Sequence, residues 1–166
     1  MISERELFID NHVIRWPEKY RPVVDFLING LEEKSNDNSL FERNVHVVCF
    51  AAGLGIKVAR RESISGEKLL EIETDTFINN NLGIWIFLIS LMSNEVPDIN
   101  IFRTSEGESE AVKLFQEYAA GGLAYLNEKF NEDSVQTPFM FVRKILDSFE
   151  NQDNSGGVAE VEIDFS

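Results

Sequence analysis

Between Ser105 and about Lys129 the residues Ala111, Val112, Leu114, Phe115, Tyr118, Ala119, Leu123 and Leu126 keep a three- and four-residue spacing that continues to Phe130. That period matches one face of an α-helix and no strand. A chain with one long amphipathic helix must supply other apolar faces to cover it, so this stretch constrains the fold most. A second stripe, Val45, Val48, Cys49, Ala52, Ile56 and Ala59, predicts a helix through "FERNVHVVCFAAGLGIKVARRE". Tyr20, Val23, Val24, Leu27 and Ile28 form a third, in a helix entered at Pro17, shortened or bent by Pro22 and stopped at Gly30.

The most apolar run, Leu82 to Met92, is 11 residues long. A membrane span needs about 20, so the run reads as a buried core helix. Thr137-Pro138 is a helix start, with Thr137 as cap and Pro138 in the first turn. The helix should reach about Glu150 with Phe139, Val142, Ile145, Leu146 and Phe149 inward. Residues 8–16, "FIDNHVIRW", suit a short strand, and "LLEIE" within 63–74 an irregular one; Asp75 could cap a short helix. Polar residues 32–39, "EEKSNDNS", read as a loop. The expected fold is mainly α: a compact bundle of about five or six helices with at most a minor β-strand or hairpin. Residues 1–150 would form one domain. Residues 151–166 would be an acidic tail, a linker "NQDNSGG" followed by "VAEVEIDFS", either disordered or an added strand.

Charge limits the partners. The net charge is −14, distributed unevenly. Residues 1–62 hold nine Lys and Arg against ten Asp and Glu; residues 63–166 hold six against nineteen. The acidic part repels phosphate, so DNA is met through a local basic patch or through a partner. A single Cys excludes a disulfide framework and a four-Cys zinc site. With a charged opening, "MISERELFID", it points to a reducing cytoplasm and no membrane association.

Reactive side chains are sparse. His12 and His46, the two histidines, fall in different elements, and nucleophilic catalysis needs a base held against its nucleophile. His46 lies one residue off its apolar stripe, while Cys49 lies on the stripe and reads as an inert packed thiol. "GLGIKVAR" lacks the glycine spacing of a dinucleotide loop, and no GxxxxGK[ST] occurs. The carboxylates of "ESE" (Glu108 to Glu110) and "EVEID" read as solvated acidic surface. The inventory therefore predicts no catalytic residue, no metal ligands and no cofactor.

Two features remain. "AAG" (Ala51, Ala52, Gly53) and "AAGG" (ending Gly121, Gly122) place glycine inside helices at a cost of about 0.5–1 kcal/mol each relative to alanine. Close approach of another backbone would offset that cost, either within the monomer or at a partner interface, a homo-oligomer included. Lys57, Arg60 and Arg61 gather three cations in five positions. They suit the last turn of a helix, whose partial negative charge favours cations, or a docking patch for DNA phosphate or an acidic partner.

Two strings point to a family. "FAAGLGIKVARRE" (Phe50 to Glu62) and "FQEYAAGGLAYLNEKF" (Phe115 to Phe130) resemble the two signature segments of the Dnd system-associated family, small accessory proteins found alongside DNA phosphorothioation and its restriction partners. The resemblance covers roughly residues 15–130. It implies a role in bacterial anti-phage defence among sulfur-modification or restriction proteins. Combined with the residue inventory, it predicts a non-enzymatic accessory protein acting by protein–protein contact. The alternatives are a DNA-binding regulatory module, such as a helix-turn-helix variant, and an acidic DNA mimic.

Overall fold

The computed structural model describes residues 3–31, 39–94, 98–132, 134 and 137–155. Its spine is α5 (Ser105–Glu132), which buries Ala111, Leu114, Phe115, Ala119, Leu123 and Leu126. Thr104 opens it by accepting a hydrogen bond from Gly107 N–H, 3.0 Å. Five further helices surround the spine: α1 (Arg21–Asn29), α2 (Asn44–Lys57), α3 (Thr74–Asn79), α4 (Gly83–Ser93) and α6 (Pro138–Ser155). The fold is mainly α. Its one sheet among the described residues is the antiparallel pair β1 (Val13–Pro17) and β2 (Leu69–Glu73), with Ile14 opposite Ile72 and Trp16 opposite Leu70. No helix among the described residues is long and apolar enough to cross a membrane.

Proline and glycine mark the ends. Pro22 sits in the first turn of α1 and starts the helix instead of bending it; a short 3-10 turn over Glu18–Tyr20 precedes it. Gly30, at φ +72°, ends α1 and donates its N–H to Phe26 O, 2.7 Å. Thr137 caps α6 through Met140 N–H, 3.3 Å.

Several expectations shift. The strand expected from residue 8 begins at Val13. Asp75 lies in the first turn of α3, after the cap position, which Glu73 occupies. α4 buries Ile86, Phe87 and Ile89 but leaves Trp85 44% and Met92 60% exposed, so one of its faces is open. α6 is rotated from the expected phase: Phe141, Val142 and Ile145 are buried while Phe139 and Leu146 are exposed. The ring of Phe141 sets that rotation by packing edge-on against Phe26 and Phe130. α6 also continues through 151–155, where a linker was expected. The rest of the acidic tail, 156–166, lies outside the described residues, as do 32–38 of the expected loop.

Candidate functional site

The small residues of α2 and α5 meet each other. A Cβ added to Gly122 would fall 1.7 Å from Ala51 O, and one on Gly55 2.1 Å from Tyr118 O. One on Gly121 would fall 2.0 Å from Arg60 O. Ala52 is fully buried. Gly53 has open space around its missing Cβ and borders a groove described below.

α2 ends at Lys57, earlier than its apolar stripe suggests, because Ala59 adopts a left-handed conformation (φ 52°). Arg60 N–H then reaches back to Gly55 O, 2.9 Å, and Ala59 N–H to Ile56 O, 3.1 Å. This is the paired closure of a Schellman cap, built here without glycine. The chain leaves the helix and crosses α5, with Glu62 N–H donating to Glu117 O, 3.1 Å. Arg60 and Arg61 therefore lie outside the last helical turn, and the helix-end reading holds for Lys57 alone.

Each of the three cations meets a carboxylate of its own chain. Lys57 Nζ lies 3.5 Å from Asp153 and over the Phe149 ring. Arg60 pairs with Glu62 (3.1 Å) and Glu128 (2.8 Å), and Arg61 with Glu117. The hydrogen bond that Arg60 donates to Glu128 holds the guanidinium above its ordinary pKa, and the same bond holds the Glu128 carboxyl below its own. The basic turn is thus neutralised locally.

The open face of the bundle lies elsewhere. A groove of about 760 Å³ runs between α2, α4 and α6, bounded by Phe41, Phe50, Leu54, Leu82, Trp85, Ile89, Leu146 and Phe149, with Lys57 and Glu150 as its charged members. His46 and Cys49 also line it. The Nδ1 atom of His46 is buried with no hydrogen-bond partner among the described residues. Burial pushes the Cys49 thiol up to about 12, so it stays protonated at neutral pH.

A second cluster gathers residues that are far apart in sequence. Glu108 is 1% exposed and accepts hydrogen bonds from Ile9 N–H (2.8 Å), Asp10 N–H (3.0 Å) and His12 Nε2 (2.7 Å). Ligand atoms of Asp10, His12 and Glu108 lie within 4.8 Å of one another. Glu108 is therefore buried, not part of the solvated acidic surface that the sequence suggests. Its position three and four residues before Ala111 and Val112 puts it on the buried stripe of α5, and that phase was the available signal.

A family model described as DNA sulphur modification system-associated protein 4 matches residues 22–162. The chain belongs to that family. No curated protein and no solved structure gives a significant match. The DNA sulphur modification system-associated match runs from Pro22 in α1 through α6, takes in both segments that carry the resemblance, and continues beyond residue 130. Every groove residue falls inside it. Asp10 and His12 precede it, while Glu108 falls within it.

Proposed function

We propose that this chain is a non-enzymatic accessory subunit of a DNA sulphur modification system, and that it docks a partner protein of that system through the α2–α4–α6 groove. The observation that carries this reading is the groove itself: an apolar trough with Trp85 and Leu146 44% and 47% exposed, bordered by Lys57 and Glu150. Contiguous exposed apolar surface of this kind marks interaction sites. Tryptophan, with tyrosine and arginine, is enriched at the energetic centres of interfaces.

Direct DNA binding has less support. Lys57, Arg60 and Arg61 are each engaged by carboxylates, and the net charge of −14 opposes approach to phosphate. The cations anchor the turn and leave the docking to the groove. The proposed setting is cytoplasmic, beside the modification and restriction proteins that mark and police DNA against phage.

The test is affinity capture of the tagged chain from its native host with mass spectrometry, in three forms: wild type, Trp85→Ser with Leu146→Asp, and Arg60→Glu with Arg61→Glu. The groove variant should lose a sulphur-modification or restriction protein that the arginine variant keeps. The opposite pattern moves the docking face to the basic turn. Tight, salt-sensitive gel shifts by the isolated protein would replace the adaptor reading with a DNA-binding one.

A further inference from the structure

We propose that Asp10, His12 and Glu108 form a binding site for one divalent transition-metal ion. The three side chains bring two carboxylate oxygens and an imidazole nitrogen to within 4.8 Å of one another. Asp10 and His12 stand two apart in the segment leading into β1, and Glu108 approaches from α5. The arrangement is thus assembled by the tertiary fold and not by one flexible loop.

Charge is the second argument. Glu108 is buried, and a buried carboxylate is stable when it is paired with a cation or ligates one. Neither Glu108 nor Asp10 forms an ion pair with any lysine or arginine among the described residues; the sole partner of this type is His12. Two carboxylates beside one imidazole leave a negative site that a doubly charged ion neutralises.

The hydrogen bonds already present suit such an ion. A carboxylate only accepts, so the 2.7 Å contact places the His12 Nε2 proton toward Glu108 Oε1. In the neutral imidazole the single ring proton shifts to Nδ1, which leaves the Nε2 lone pair free for a metal ion and releases no proton. The Ile9 and Asp10 N–H groups, at 2.8 and 3.0 Å, fix the orientation of the Glu108 carboxylate as an outer shell does around a metal ligand. One nitrogen and two oxygens favour zinc, manganese or iron over calcium or magnesium. Asp10 is exposed, so water from solvent can fill the remaining positions. On this chain the ion would tie residues 9–12 to α5, a role independent of the groove and of any docked partner.

The test uses the full chain freed of metal by a chelator and titrated calorimetrically with Zn²⁺ and, separately, with Mn²⁺. Glu108→Gln disturbs the hydrogen bonds of the buried carboxylate and can unfold the chain, so Asp10→Asn carries the comparison; its exposed side chain makes no ion pair with a lysine or arginine among the described residues, and circular dichroism checks its fold. A variant with both His46→Ala and Cys49→Ser controls for zinc capture in the groove. The expected result is saturable one-to-one binding of at least one ion, weakened by about tenfold or more in Asp10→Asn and unchanged in the groove variant. Absence of saturable binding by both ions overturns the proposal. So does binding that survives Asp10→Asn or disappears in the groove variant.

Discussion

Gly122 faces the carbonyl oxygen of Ala51 so closely that a Cβ would stand 1.7 Å from it. The obstacle is backbone, which cannot swing aside as a side chain can, so even one methyl group must push α5 away from α2. Overpacking of this kind costs about 3 kcal/mol, and Gly122→Ala should lower the melting temperature by roughly 6–12 °C for a domain of this size. Gly53, in the same α2 but with nothing within 4 Å, is the control. Gly53→Ala should gain up to about 1 kcal/mol from helix propensity. Equal melting temperatures for Gly122→Ala and wild type would mean that the crossing is looser than described.

Ala59 offers the opposite kind of substitution. Its left-handed φ of 52° costs an L-residue with a Cβ about 1–2 kcal/mol, which glycine avoids while losing more chain entropy on folding. Ala59→Gly should therefore stabilise the protein by roughly 0.5–1 kcal/mol. The gain should show as a higher urea midpoint with an unchanged slope. A lower midpoint would show that the turn after α2 does not need the left-handed residue.

The features that could be read from sequence were local. Gly30 and the Thr137-Pro138 pair act within one turn of where they stand, and the stripe of α5 repeats often enough to fix both its type and its buried face. The misreadings have local causes too. A Schellman cap is usually signalled by glycine, and Ala59 gave no such signal, so the stripe ran on and carried Arg60 and Arg61 into a helix they do not join. In α6 two registers of apolar residues compete, and the contacts of Phe141 with Phe26 and Phe130 decide between them. No local pattern pairs His12 with Glu108, which meet across the fold. The open face of α4 was equally hidden, since an apolar run looks the same whether or not a neighbour covers it.

The Arg60–Glu128 pair gives a pH signature. The Arg60 hydrogen bond depresses the Glu128 pKa in the folded protein. A depressed acid adds stability above its unfolded value, about 4.3, and the contribution is lost as pH falls through the lower folded value. Wild type should exceed Glu128→Gln in stability at pH 7 by a small margin that added salt reduces, because the pair is exposed. Urea titrations should show that margin narrowing from about pH 4 downward. A margin that persists in acid would assign the effect to something other than charge.

Cys49 reports on the groove. With its thiol pKa pushed up to about 12, its thiolate at pH 8 is scarcer than that of a free cysteine by about a thousandfold. Iodoacetamide should label it correspondingly slowly, and at the ordinary rate once guanidinium unfolds the chain. Since Cys49 lines the groove, a docked partner should slow labelling further. Labelling of the folded protein at the rate of an exposed thiol would show that the α2 face is open to solvent at Cys49.

Glu108 holds the segment before β1 to the bundle, and removing its carboxylate tests that attachment directly. Glu108→Ala strands the N–H groups of Ile9 and Asp10 and the imidazole of His12 without their acceptor. Ile9 and Asp10 are themselves exposed and these hydrogen bonds only half-buried, so the loss is at most about 1–3 kcal/mol, and release of residues 9–12 from α5 lets water recover part of it. Native-state hydrogen exchange separates the two responses. Local release should accelerate exchange at Ile9 and Asp10 well beyond the change at Phe115, whose amide lies in the core of α5. Glu108→Gln keeps one oxygen acceptor but turns an amide N–H₂ toward donors, so its exchange should fall between wild type and Glu108→Ala. Unchanged protection at Ile9 and Asp10 in Glu108→Ala would mean that β1, through its pairing of Ile14 with Ile72, anchors the segment without help from the carboxylate.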